Sequence, residues 1–217
     1  MNSGNFSIDK SSVSFTIAIY LVATILLLVL ATVIKKGDDV LWINGHYHEG
    51  LDSFFGIITN LGDGLLFVPI VIFLLFFRYQ YVIMAVLIWI IHGTLCYILK
   101  HNFFRVMKRP SVFLSDHPLH FAPHISVHTD YSFPSGHSAT IFCATLFISL
   151  LSNNRKLSMA LLVVALLVGY SRIYLLQHFL VDVAGGATIG IMTTLLIWYL
   201  FRMLTIPTWM NKSILSK

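Results

Sequence analysis

Apolar residues along this chain gather into six runs, at residues 14–34, 65–77, 81–99, 137–151, 157–175 and 180–203, divided by three short polar breaks and two longer segments. The hydrocarbon core of a bilayer takes roughly 20 apolar residues in helical form. A helix satisfies its backbone polar groups internally, as lipid requires. The runs therefore predict six transmembrane helices. Lys35, Lys36, Asp38 and Asp39 stop the first, Arg78 the second and Lys100 the third. A polar turn at 153–156 precedes the fifth, and Gln177 and His178 part the fifth from the sixth. Residues 40–63 mix aromatics with His46, His48, Glu49 and Asp52. They read as a short amphipathic helix at the interface, ending at Gly62-Asp63-Gly64. Residues 100–136 form one long polar segment, whose prolines at 110, 118, 123 and 134 forbid a continuous helix. The expected fold is all-α: a polytopic six-transmembrane-helix bundle, one domain over 1–217, with an interfacial helix and one long polar loop.

Composition agrees with this pattern. Hydrophobic residues make up 57% of the 217 and charged ones 11%, against about 25% charged in ordinary soluble domains. The mean hydropathy is +0.83. So few charges could not cover a soluble protein of this size. The formal charge of +5 does not point to nucleic acid, because no soluble basic domain remains once the spans are removed. Cys96 and Cys143 both fall inside apolar runs, so no disulfide framework is expected. The first run lacks an Ala-x-Ala-like cleavage site and reads as an uncleaved span.

Six spans put both termini on one side and bring 35–63, 100–136 and 176–179 together on the other. Lys10, Arg78, Arg155, Lys156, Arg202, Lys212 and Lys217 fall on the termini side. Lys35, Lys36, Lys100, Arg105, Lys108, Arg109 and Arg172 fall opposite. The positive-inside bias is therefore flat. Setting aside cations with chemistry to perform makes the termini side cytoplasmic.

Three constellations carry chemistry, all on the other side. Ser171-Arg172 is followed by His178 and, four residues later, Asp182. On a helix those two share a face. A carboxylate on one imidazole nitrogen fixes the tautomer and leaves the other nitrogen as a lone-pair donor, the arrangement of an activated nucleophile. Pro134-Ser135-Gly136-His137-Ser138 opens the fourth run. There Ser135 suits a helix N-cap, Gly136 permits close backbone approach, and free amides make an anion site. His137 is placed as a general acid. Lys100 and Arg109-Pro110 add cations, Arg for forked contact with phosphate oxygens and Lys as a point charge. Arg105 and Lys108 read as a headgroup-facing basic loop. The set fits one reaction: His178 attacks phosphorus, Asp182 supports the resulting imidazolium, His137 protonates the leaving oxygen, and water hydrolyses the phosphohistidine.

These motifs resemble those of the type 2 phosphatidic acid phosphatase superfamily, the lipid phosphate phosphatases. That family's pattern is Lys-x6-Arg-Pro, Pro-Ser-Gly-His and Ser-Arg-x5-His-x3-Asp. The second and third are present without a gap, while Lys100 and Arg109 stand eight residues apart instead of six. The resemblance implies phosphate binding by Lys100, Arg109, Ser135, Gly136, His137 and Arg172. It makes His137 the acid, His178 the nucleophile and Asp182 its partner. It also implies a metal-independent enzyme with no cofactor. For bacterial members it implies the inner membrane and a site facing the periplasm or exterior. Substrates suggested are undecaprenyl diphosphate, phosphatidylglycerol phosphate, phosphatidic acid and lipid A phosphates. A non-catalytic anionic-lipid binder or transporter could use the same cations without the His178–Asp182 pair. His117, His120, His124 and His128 have helical spacing, but Pro118 and Pro123 interrupt a metal-ligating helix. They read as a polar rim over the site, with Asp52 and the 59–64 stretch beneath.

Overall fold

The computed structural model describes residues 9–216. Lys217 of the charge tally and the extreme N-terminus lie outside them. The chain is helical, with no strand among the described residues. The helices are α1 (Lys10–Val33), α2 (Asp38–Asn44), α3 (Glu49–Ile58), α4 (Phe67–Leu74), α5 (Tyr79–Ile98), α6 (Pro110–Phe113), α7 (Gly136–Ser152), α8 (Arg155–Tyr174) and α9 (Leu180–Met203). Four helical stretches are long and apolar enough to cross a membrane: Lys10–Val33, Tyr79–Phe103, Arg155–Tyr174 and Leu180–Met203. A bent pair, Glu49–Gly62 with Gly64–Leu74, makes a fifth if taken as one span, and Gly136–Ser152 is a shorter apolar helix.

The bundle is built around α7 and α9. In α9, 56% of the most apolar stretch is buried, against 22% in α1. Two glycines let these helices touch through their backbones, as small residues do between membrane helices. A Cβ at Gly186 would collide with the Ser135 carbonyl oxygen, and one at Gly190 would lie 2.6 Å from the carbonyl oxygen of Ala139. Phe142, Phe147, Ile141, Leu146, Phe67, Ile88 and Tyr20 fill the surrounding core.

Contacts sort the chain into two ends. At one, Thr16 and Ser158 share a hydroxyl bond of 2.8 Å, and Arg155 donates to Ser11. The C-terminal segment returns there: Tyr79 N donates to Lys212 O at 2.9 Å, and Ile214 N to Leu75 O at 3.1 Å. At the other end, Asn44 exchanges two bonds with the backbone of His120, both 2.8 Å. Asp39 accepts from Leu180 N at 2.6 Å.

The structure departs from the sequence expectations in three places. Residues 40–63 are not one interfacial helix. They form α2 and α3, parted around Gly45, and α3 continues through a 3-10 turn, Thr59–Gly62, into a 62° bend. Asp63 makes the bend: its backbone is extended and its side chain accepts from Leu65 N at 2.8 Å. The helix of the second run is accordingly only Phe67–Leu74. The third run does not close at Lys100 but continues as a π-helical turn, Leu99–Phe103. Phe104 N donates to Leu99 O at 2.8 Å, so Lys100 sits on a wide turn instead of in a loop.

Candidate active site

The end of the bundle holding His120 and Leu180 also holds the candidate residues. Ser135 caps α7, its hydroxyl accepting from Ser138 N at 3.3 Å and Ser138 Oγ at 2.9 Å. Its own amide donates to the Asp182 carbonyl at 2.9 Å, which joins the start of α7 to the first turn of α9. Asp182 explains why α9 begins where it does. Its Oδ2 accepts from Phe179 N at 2.9 Å, satisfying an amide at the helix start that would otherwise be orphaned. The same oxygen accepts from Ser132 Oγ at 2.5 Å and faces His178 Nδ1 at 3.5 Å.

His178 and Asp182 do meet, though not on a shared helix face. His178 precedes α9 in the link 175–179, where Leu176 takes the left-handed conformation with φ 57°. The amides of Gln177 and His178 both turn back to the Arg172 carbonyl, at 2.9 and 3.0 Å. This wrap places the imidazole beside the C-terminal end of α8 and over the first turn of α9.

Three cations surround the imidazole. Arg172, 7% exposed, donates through Nη1 to Thr59 Oγ1 at 2.5 Å. Arg109, also 7% exposed, donates through Nε to Asp130 O at 2.8 Å and through Nη1 to the backbone and side-chain oxygens of Gln177, at 3.0 and 3.1 Å. Lys100 reaches in from the π turn. Burial, then the charges of Arg109, Arg172 and Lys100, hold His178 well below its ordinary value of 6.5, and His137 adds to them. All five groups therefore share one electrostatic environment. The imidazole stays neutral in it, with its lone pair available. Arg172 Nε, His178 Nδ1 and Asp182 Oδ1 are buried without a hydrogen-bond partner among the described residues. A buried guanidinium with a free donor beside a neutral imidazole suits a multiply charged oxyanion.

The structure thus brings together Lys100, Arg109, Ser135, Gly136, His137, Arg172, His178 and Asp182. Lys108 instead pairs at the surface with Asp130. The four loop histidines do not act as a set. His120 Nε2 donates to Asp52 Oδ2 at 2.8 Å, and the ring stacks on Tyr47. Asp52 also accepts from Tyr174 OH at 2.7 Å, so the long loop is strapped onto α3 and α8. Among the described residues, no three His, Cys, Asp or Glu side chains gather as metal ligands. Sequence reasoning missed Ser132 and Gln177, both buried polar residues that hold site groups. A serine two residues before the Pro-Ser-Gly-His run was the available signal for the first. Position 177 lies among the unspecified residues of its motif and gave none.

Residues 80–206 match the PAP2 superfamily. The chain is 32% identical over 155 residues to phosphatidylglycerophosphatase B of Bacillus subtilis, covering 64% of this chain and 70% of that protein. It is 29% identical over 164 residues to the lipid A 4'-phosphatase of Porphyromonas gingivalis, covering 70% and 66%. With the undecaprenyl-diphosphatase BcrC of Bacillus subtilis it shares 31% identity over 149 residues, covering 67% and 72%. The crystal structure of Aquifex aeolicus LpxE superposes with a TM-score of 0.65 at 32% identity, over 74% of this chain and 92% of that one. A transmembrane PAP2 type phosphatidylglycerolphosphate phosphatase from Bacillus subtilis shares the fold, with a TM-score of 0.57 at 21% identity over 88% and 98%.

Proposed function

Since this chain belongs to the PAP2 superfamily, we propose that it is an integral-membrane lipid phosphatase working through a phosphohistidine. The observation that carries this is the buried His178 imidazole, its Nδ1 3.5 Å from Asp182 Oδ2, in the shared electrostatic surroundings of Lys100, Arg109 and Arg172. His178 Nε2 attacks phosphorus while the bond from phosphorus to the lipid oxygen breaks. His137 gives that oxygen its proton. The Nδ1–H of the charged imidazole closes on Asp182 Oδ2 as positive charge grows. Water then attacks the phosphohistidine, His137 takes its proton, and inorganic phosphate leaves with the histidine restored. Lys100, Arg109, Arg172, the Ser135 hydroxyl and the backbone at Gly136 hold the phosphoryl oxygens. Positioning and charge stabilisation supply most of the catalysis in such a transfer. No metal takes part in these steps.

The substrate is a phosphomonoester or diphosphate of a lipid, the class to which the relatives' names refer: phosphatidylglycerophosphate, lipid A and undecaprenyl diphosphate. A groove of about 410 Å³ supports a lipid over a soluble ester. Its lining is mainly apolar, with Ile34, Phe104, Phe133 and Phe179, and Lys36 and Asp39 also border it. Phe179 adjoins His178 and Phe133 adjoins Pro134, so a hydrocarbon chain lying there leaves its phosphate beside the cations. We place the protein as one domain over 1–217 in a bacterial inner membrane. In that placement α4 and α7 act as short crossings, giving six in all, and the site faces the periplasm.

The test is phosphate release from purified protein in detergent with chelator present. The panel is phosphatidylglycerol phosphate, phosphatidic acid, undecaprenyl diphosphate and lipid A. Turnover of at least one of them, abolished by His178→Ala in protein that still elutes as a folded species, is expected. Undiminished turnover in that variant removes the nucleophile assignment. Lipid transfer between vesicles without phosphate release would favour a binder or transporter.

A further inference from the structure

Ser132 lies outside the residues that the proposed reaction uses, yet it is fully buried and its hydroxyl donates to Asp182 Oδ2 at 2.5 Å. The serine is fixed from several directions. Its amide donates to Met107 O at 3.1 Å. The next residue, Phe133, lays its ring against Gly185, where a Cβ would meet it at 2.5 Å. Three residues on, the Ser135 amide holds the Asp182 carbonyl. The segment 132–135 is thereby registered along the first turn of α9, and the Ser132 hydroxyl has one place to point.

Oδ2 takes two hydrogen bonds, from Ser132 Oγ and Phe179 N, and it is the oxygen that faces His178 Nδ1. Oδ1 takes none. A carboxylate held by a single donor can swing about its terminal torsion, which is broad and nearly two-fold. Two donors fix its plane. We propose that Ser132 is a positioning residue for phosphoryl transfer. It holds the Asp182 carboxylate so that Oδ2 stands ready for the imidazolium that forms when His178 takes the phosphoryl group. It touches neither substrate nor phosphorus and acts only through Asp182. This rests on the roles assigned above to His178 and Asp182.

Removing the hydrogen-bond partner that orients a metal ligand typically lowers activity about 10- to 100-fold, and a loss of the same order is expected for the partner that orients Asp182. Ser132→Ala and Ser132→Val are expected to lose kcat in that range with KM unchanged, and rapid-quench formation of phosphoenzyme should slow by the same factor. Ser132→Thr keeps the hydroxyl in the shape that Val mimics, and is expected to retain kcat within a few-fold. Residues acting as a unit are non-additive. In an Asp182→Asn background, Ser132→Ala should therefore add no further loss. All rates are taken per folded protein from size-exclusion peaks. Three results overturn the proposal. They are equal impairment of the Thr and Val variants, the same fold-loss from Ser132→Ala with or without Asp182, and reduced yield with unchanged kcat. The underlying reading fails separately, through retained turnover in His178→Ala.

Discussion

Thr59 stands far from the motifs in sequence, yet its hydroxyl accepts from Arg172 Nη1. A hydrogen bond to a charged group contributes about 1.5–3 kcal/mol. Thr59→Val keeps the shape and removes the acceptor. A guanidinium released by even half that amount samples geometries in which it no longer faces the phosphoryl oxygens. The variant is expected to lower kcat/KM by about ten-fold or more, as measured by initial rates across substrate concentrations. His178 gives a second expectation, in stability. Its folded pKa is depressed, by burial first and then by the neighbouring cations. Below its ordinary value of 6.5 the unfolded chain takes up a proton that the folded protein refuses. Stability is therefore complete above that value and falls as the pH drops beneath it, by up to about 1.4 kcal/mol per pH unit. Melting in detergent at pH 7.5 and 5.0 should show a larger drop for the wild type than for His178→Asn. An equal drop in both would mean that His178 is protonated in the folded protein.

At the scale of elements, every apolar run seen in the sequence contains a helix. The reason is physical: lipid leaves a backbone no other way to satisfy itself along such a run. The Ser135 cap was equally legible, because an N-cap needs only its own next three residues. The turn at Gly62-Asp63-Gly64 and the break at Gln177 and His178 were also legible, but the π turn at Lys100 and the backbone path of that break were not. Each depends on partners distant in the chain or on a backbone register that periodicity does not encode. His178 and Asp182 were rightly paired from their spacing, but they meet through a left-handed residue and an amide wrap instead of a helical turn. Ser132 was hidden for the same reason, its partner being fifty positions away. The contact of α7 with α9 yields a further prediction. At Gly186 a Cβ meets a backbone carbonyl, which cannot rotate aside. Gly186→Ala should cost about 1–3 kcal/mol in stability and also shift Ser135, the cap of the phosphate-binding turn. A lower melting temperature together with reduced kcat is expected. Wild-type melting in that variant would show that the helices have room to part.

For the molecule as a whole, the long loop is tied down at His120, whose bond to Asp52 lies on a network reaching α8 through Tyr174. Asn44 holds the same residue by its backbone. His120→Ala removes the side-chain tie but leaves the backbone pair. It is expected to make the loop more susceptible to limited proteolysis while changing melting by less than Gly186→Ala does. The inner and outer helices differ in a way that bears on the surrounding lipid. The reacting groups hang from α7, the end of α8 and the start of α9, whereas α1 presents most of its surface outward. A thinner or thicker bilayer is accommodated by tilting whichever helices touch it, at a modest cost per ångström of mismatch. That strain falls on the peripheral helices, and His137, Arg172, His178 and Asp182 ride on the more enclosed part of the bundle, with Lys100 on the more peripheral α5. Turnover of a fixed substrate should stay nearly constant in vesicles of increasing chain length.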